Sequence, residues 1–311
     1  MVFAKLCKLL GLYGRGYDLD VMAQRLGIEL RKLRDLEPSY HSFYIPKRSG
    51  GTRKILAPSD RLKKVQRRIL RRLLSRLRVH RSATGFQQDE SFVSNARRHE
   101  GQAVVIRFDL QDFFPSIDAK RIERYFRFIG WNRRSAKLFV RLCTTEGVLP
   151  QGAPTSPRLS NLVNYKLDAR LTALAQKFGG VYSRYADDIT ISLTQEDRRS
   201  VQVIIKTVER IVEEEGYRLN LKKGPDVRRR HQRQRVTGLV VNQRANLSRE
   251  TRRWLRAVEH RTKQVTAQAQ LSIIDEGFVH CLKRPTLTAS QLQGWQSLQA
   301  MVNTVQVAEE V

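Results

Sequence analysis

Two adjacent carboxylates, Asp187 and Asp188 in Tyr185-Ala186-Asp187-Asp188, sit between two short runs that read as strands. Val181-Tyr182-Ser183-Arg184 precedes them and Ile189-Thr190-Ile191-Ser192-Leu193 follows, alternating apolar and polar at the period of a half-buried strand. Such an acidic tip repels itself unless a cation sits there, and hard carboxylate oxygens suit Mg2+. Upstream, Asp109 closes a further strand candidate, Ala103-Val104-Val105-Ile106-Arg107-Phe108. Brought together, the three acids would cage two metal ions about 3.5–4 Å apart, the arrangement used for in-line phosphoryl displacement. An Asp-Asp pair alone is commonly a solvated turn. Strand flanks on both elements, in this order, favour the cage.

Charge narrows the class of partner. The 311 residues carry 58 Lys and Arg against 30 Asp and Glu, a formal net charge of +28. That excess fits a long polyanion, whose condensed counterions are released on binding. A structural RNA-binding protein would share the charge but not the three acids at strand ends. No apolar run reaches the 18 residues of a membrane span, and Met1–Leu6 lacks a signal-peptide core. Cys7, Cys143 and Cys281 are scattered and give no metal spacing, which fits a reducing cytoplasm.

Along the chain, residues 1–40 read as small basic helices. Phe43 to Pro58 reads as a hairpin turned by Ser49-Gly50-Gly51-Thr52. Ser59-Asp60 is the expected N-cap of a long helix with Leu62, Val65, Ile69, Leu70, Leu73, Leu74 and Leu77 on its apolar side. Its other side, with Lys63, Lys64, Arg67, Arg68, Arg71, Arg72 and Arg76, is a solvated face or a phosphate track. Helices are expected near 119–129, 134–145, 157–177 and 197–215, and strands at Tyr217–Asn220 and Arg235–Val241. A helical module fills 246–311. Hairpins mixed with helices indicate an α+β fold.

From about Tyr44 to Gly238 the chain resembles the reverse transcriptases of bacterial retrons. The resemblance is carried by Ile45-Pro46-Lys47-Arg48-Ser49-Gly50-Gly51-Thr52-Arg53, by Phe108 to Ile117, by Gln151-Gly152-Ala153-Pro154-Thr155-Ser156-Pro157 and by Tyr185 to Asp188. Asn95-Ala96-Arg97-Arg98-His99 and Val236-Thr237-Gly238 match two patterns typical of the retron subgroup. The resemblance implies a right-hand polymerase with fingers, an antiparallel palm sheet with helices, and a mainly helical thumb. The implied division is an N-terminal helical segment at 1–40, fingers at 41–102, palm at 103–240 with a fingers segment at about 125–155, and thumb at 241–311.

The resemblance also assigns roles. Asp109, Asp187 and Asp188 become catalytic ligands of two Mg2+ ions, with the Leu110 carbonyl completing a shell and Asp188 contributing less directly. Lys47 and Arg53 would clamp the triphosphate, the alternative being a solvated basic hairpin. Phe114 would exclude a 2′-hydroxyl, the alternative being a core aromatic. Gln151 and Gly152 would line the nucleotide pocket. Lys223 would protonate pyrophosphate, with Lys222 competing. Asn95, His99, Val236, Thr237 and Gly238 would shape the site and bind structured RNA, and Arg252, Arg253 and Arg256 would grip RNA from the thumb. The implied partners are dNTPs, a cognate noncoding RNA and its RNA–DNA product (msDNA), and an effector protein of an anti-phage system. Group II intron-like or diversity-generating reverse transcriptases, and an RNA-binding scaffold, are the competing readings.

Overall fold

The structure, a computed structural model, describes residues 16–46, 50–222, 224–269 and 289–303. Lys47 and Lys223, two of the expected site residues, lie outside them. Asp18 opens helix α1 (Leu19–Leu26) by accepting from the amides of Asp20 and Val21, and α2 (Leu30–Arg34) follows. Strands β1 (Tyr40–Pro46) and β2 (Thr52–Pro58) form the expected hairpin, with Ile45 opposite Arg53. Helix α3 (Asp60–Arg72) buries Leu62 and Ile69. Two expectations need correcting here. Ser59 makes no side-chain cap, and the helix stops at Arg72, giving way to a 3-10 turn at Leu74–Arg76. The apolar spacing runs on through Leu73, Leu74 and Leu77, so periodicity alone could not mark the end.

A reciprocal cap between Ser91 and Ser94 starts α4 (Phe92–Arg97), which leads to β3 (Val104–Asp109). Asp118 and Asn132 cap α5 (Ala119–Phe128) and α6 (Arg133–Cys143). The single helix expected over 157–177 is two, α7 (Ser156–Val163) and α8 (Tyr165–Lys177), divided at Asn164. The Asn164 side-chain oxygen is occupied by Arg121 and Tyr217, so the break is held by long-range bonds. Strands β4 (Gly180–Tyr185) and β5 (Asp188–Leu193) form the acidic hairpin, followed by α9 (Arg198–Glu214). Tyr217–Asn220 is not a regular strand; only Leu219 bridges to Leu110. Beyond β6 (Asp226–Arg229), the expected strand at 235–241 is a small hairpin, β7 (Arg235–Val236) and β8 (Leu239–Val240). Helices α10 (Arg249–Ala269) and α11 (Ala289–Asn303) complete the described chain.

The main sheet is antiparallel, in the order β4-β5-β3-β6, which establishes the α+β class. Alternation along the strands divides its chemistry. Val104, Ile106, Phe108, Ile189, Ile191 and Leu193 face a main core shared with Leu167, Leu171, Ile204 and Val208. Burying each such apolar side chain contributes about 1.5–3 kcal/mol. The opposite face holds Val105, Arg107 and Asp109 beside Ser192, Thr190 and Asp188. Val105 lies in a second core with Val93, Ala96, Val236, Leu239, Leu255 and Val302. That core covers one end of the face and leaves the acidic end half-buried.

Candidate active site

The register of β3 and β5 sets Asp109 directly opposite Asp188. Asp187 lies beside them in the two-residue turn, and its carbonyl accepts from the Leu110 amide at 3.0 Å. The backbone thus ties the end of β3 to the acidic turn. Asn220, unassigned by sequence reasoning, donates its side-chain amide to Asp109 Oδ2 at 3.0 Å and its backbone amide to the Asp109 carbonyl at 2.8 Å. Arg107, two residues before Asp109 on the same face, places Nη2 3.8 Å from Asp188 Oδ1 and Nη1 3.8 Å from Asp226 Oδ2. Among the described residues no three His, Cys, Asp or Glu side chains already close into a metal-holding group. The donor set nonetheless suits a hard divalent cation, since half-buried carboxylate oxygens gather at one sheet end.

The turn is held from beneath. Ala186 adopts φ 58°, a left-handed conformation uncommon for alanine. Arg184 donates through Nη1 to the Ala186 carbonyl at 3.1 Å. Its Nε and Nη2 donate to the two oxygens of Asp168 on α8, at 2.8 and 2.7 Å, and Tyr182 donates its hydroxyl to the same carboxylate at 2.7 Å. Arg184 and Asp168 are fully buried. Burial alone would lower the Arg184 pKa, but the Asp168 carboxylate more than offsets it and the guanidinium stays charged. Gly85 packs under the same turn, where a Cβ would come within 2.7 Å of the Ala186 amide nitrogen. Spacing could not reveal the pair, because Arg184 and Asp168 lie on separate elements 16 residues apart.

Around the turn lie aromatic rings. Phe114 is half-buried, with its centroid 5.3 Å from Phe113 and 6.2 Å from Phe86. Phe86, another residue the sequence did not single out, is 44% exposed and lies 6.4 Å from the Tyr185 ring. The Gln151 carbonyl accepts from the Leu56 amide at 2.8 Å. A Cβ on Gly152 would stand 2.8 Å from the Leu56 carbonyl, so glycine lets this loop lie against β2. The loop is thereby joined to the hairpin bearing exposed Arg53.

The two retron-typical patterns meet each other. Thr237 and Gly238 form the β7–β8 turn with φ 47° and 91°, both positive as a type I′ turn requires. Thr237 donates its hydroxyl to the Phe92 carbonyl at the start of α4 at 2.6 Å. On that helix, Asn95 accepts from the Thr84 hydroxyl at 2.7 Å. Just beyond its end, His99 bridges Ser192 and Ser183 at 2.7 Å each. Asn95, His99 and Val236 are buried. Their side chains are shut off from solvent and pack within the protein, which does not fit the RNA contact that the resemblance implies for them. Burial, reinforced by the charge of Arg98, lowers the His99 pKa to about 3, so the ring is neutral. Arg252, Arg253 and Arg256 are exposed on α10.

An antiparallel sheet whose central strand and neighbouring hairpin bring acids to one end defines the palm of a nucleic-acid polymerase. The chain belongs to the reverse transcriptase (RNA-dependent DNA polymerase) family, whose profile matches residues 45–241. Similar curated proteins are retron reverse transcriptases. The Mx162 protein of Myxococcus xanthus is 38% identical, over 79% of this chain and 59% of that protein. The Mx65 protein of the same organism is 41% identical, over 71% and 55%. The Ec86 protein of Escherichia coli is 37% identical, over 67% and 64%. The chain thus spans between 55% and 64% of the length of these relatives. No helix among the described residues is long and apolar enough to cross a membrane.

Proposed function

We propose that the chain is the RNA-directed DNA polymerase of a retron, copying its own structured noncoding RNA into single-stranded DNA that stays linked to that RNA. The observation that carries this reading is the opposition of Asp109 and Asp188 across β3 and β5, with Asp187 in the adjoining turn. Asp109, Asp187 and Asp188 would hold two Mg2+ ions, with the Leu110 carbonyl as a further oxygen donor. Bound there, the ions would acidify the primer hydroxyl and stabilise charge on the departing pyrophosphate. The protein's own part is mainly positioning. Asn220 orients Asp109, and the Arg184–Asp168 pair holds the turn carrying Asp187. Arg53, with Lys47, takes the triphosphate; Phe114 lies under the sugar; Gln151 and Gly152 line the pocket; Lys223 supplies the proton to pyrophosphate.

The division into fingers, palm and thumb follows the boundaries given above. Exposed Arg252, Arg253 and Arg256 contact RNA phosphates, while Thr237 and Gly238 hold the site's flank. A cytoplasmic setting and an effector partner in phage defence complete the proposal. The test is to incubate the protein with Mg2+, dNTPs and its own RNA, beside Asp187→Asn. DNA attached to the RNA is expected from the wild type and none from the variant. Equal yields from both would overturn the site assignment.

A further inference from the structure

Away from the acidic turn, a cavity of about 790 Å3 opens between the ends of three helices. Arg25 from α1, Arg72 from the end of α3 and Arg76 from the following turn stand at it, over Phe126, Ile129 and Trp131 around the end of α5. It shares no lining residue with β3, β4, β5, Phe114 or the 151–152 loop.

Its chemistry has two parts. The floor is apolar: half-buried Leu73, Leu77 and Ile129 present it, while the buried rings of Phe126 and Trp131 pack on Phe139, stacked at 4.2 Å and edge-on at 4.9 Å. Arg25 lies 4.0 Å from the Tyr17 ring centroid and 5.5 Å from that of Trp131, which fixes its guanidinium at the wall. The rim is cationic. Arg25, Arg72 and Arg76 are exposed, and none takes part in an ion pair with a described carboxylate. An apolar floor beneath guanidinium groups that no described carboxylate neutralises complements a molecule that is flat and apolar at one end and phosphorylated at the other. That molecule is a nucleotide.

Charge also indicates how the nucleotide arrives. Lys64, Arg67, Arg68 and Arg71 are exposed along α3, and Arg72 continues that row into the cavity. A strand whose phosphates follow α3 would therefore end its track at the cavity mouth. We propose that this cavity is a second nucleic-acid site, which takes one unpaired nucleotide of an RNA strand. Its phosphate meets Arg72 and Arg76, and its base enters over Leu77 and Ile129. The inference rests on the RNA-directed reading above and adds a place, outside the polymerising centre, where unpaired RNA is distinguished from duplex.

The test uses the full chain and labelled single-stranded oligouridylate, with duplex RNA in a second arm, read by fluorescence anisotropy across a salt series. Arg72→Ala with Arg76→Ala removes two phosphate contacts and should lower the log–log salt slope for the single strand by about 1.4. Ile129→Trp fills the floor and keeps every charge. It should weaken single-strand binding roughly tenfold with the slope unchanged, leaving duplex binding at the wild-type level. Thermal melting midpoints report whether each variant folds, and Ile129→Phe serves if Ile129→Trp does not.

Wild-type affinity for the single strand in a folded floor-filled variant would overturn the proposal. So would equal weakening of single strand and duplex, because the arginines would then be an ordinary stretch of basic surface. Displacement of the oligonucleotide by UMP at matching concentration would assign the cavity to a free nucleotide and overturn the strand reading. None of these measurements needs polymerisation. A wild type that binds as expected but makes no DNA would instead defeat the proposed function.

Discussion

The β4–β5 hairpin is gripped on both faces, and the grips differ in kind. On the main-core face Arg184 and Asp168 form a fully buried ion pair, and the guanidinium reaches forward to the Ala186 carbonyl in the acidic turn. On the opposite face His99 joins Ser183 to Ser192 as a neutral ring, away from the turn. The charged grip is directional: a planar fork with both carboxylate oxygens engaged fixes one orientation of the turn. The neutral grip supplies two ordinary hydrogen bonds and ties Ser183 to Ser192 diagonally across the two strands. Precision at the acids therefore depends on the first, and cohesion of the sheet with the second core depends on the second.

The largest difference should come from breaking the charged grip. Asp168→Asn leaves Arg184 buried without its counter-charge and should lower stability by about 3–5 kcal/mol. Its residual folded fraction should polymerise more slowly, because the Ala186 turn loses its anchor. Chemical denaturation and single-turnover extension check the two effects separately. A loss under 1 kcal/mol, by the scale of an exposed pair, would show that the carboxylate is dispensable to the turn.

Breaking the neutral grip should cost less and should carry a pH signature. His99→Gln is expected to lower stability by about 1–3 kcal/mol at neutral pH. In the wild type the His99 pKa is lowered to about 3 in the fold, against an ordinary 6.5. Above pH 6.5 the ring is neutral in both states and contributes no pH dependence. Below it the unfolded chain takes up the proton and the folded one does not, so stability falls as pH drops, by about 1.4 kcal/mol per unit from this group. The fall ends near pH 3. Denaturation midpoints across that window should show a shallower slope for His99→Gln; parallel slopes would mean the ring is accessible to protons.

The smallest effect is expected at Thr237. A β-branched residue at φ 47° is strained, yet its hydroxyl holds Phe92. Thr237→Gly removes the strain and the bond together, each worth about 1 kcal/mol, and should leave stability nearly unchanged. A loss above about 2 kcal/mol in a thermal melt would mean that the bond to α4 outweighs the turn conformation.

What sequence made legible in these grips was their local part. Alternation around Asp187 and Asp188 located β4 and β5, and Asp109 at the end of its apolar run located β3. Pattern also found the helices around the sheet and the fingers hairpin. The missing features were of another sort. Asp168, Arg184, Asn220 and Arg107 act through partners on other elements, and no periodicity encodes a pairing between elements. Asn164 divides α7 from α8 through bonds to Arg121 and Tyr217, which apolar spacing cannot register. Asn95 and His99 illustrate the reverse error. The family resemblance implied a ligand surface for them, and only their burial in the fold shows their side chains to be interior.

The central claim is that Asp109 and the Asp187–Asp188 turn serve one metal-binding locus. Iron(II) substituted for Mg2+, with ascorbate and peroxide added, cuts the backbone next to where the ion sits and needs no substrate. Cleavage near both residue 109 and residue 187, suppressed together by added Mg2+ and by Asp109→Asn, is the predicted result. Cuts confined to one of the two segments, or unmoved by Asp109→Asn, would contradict it.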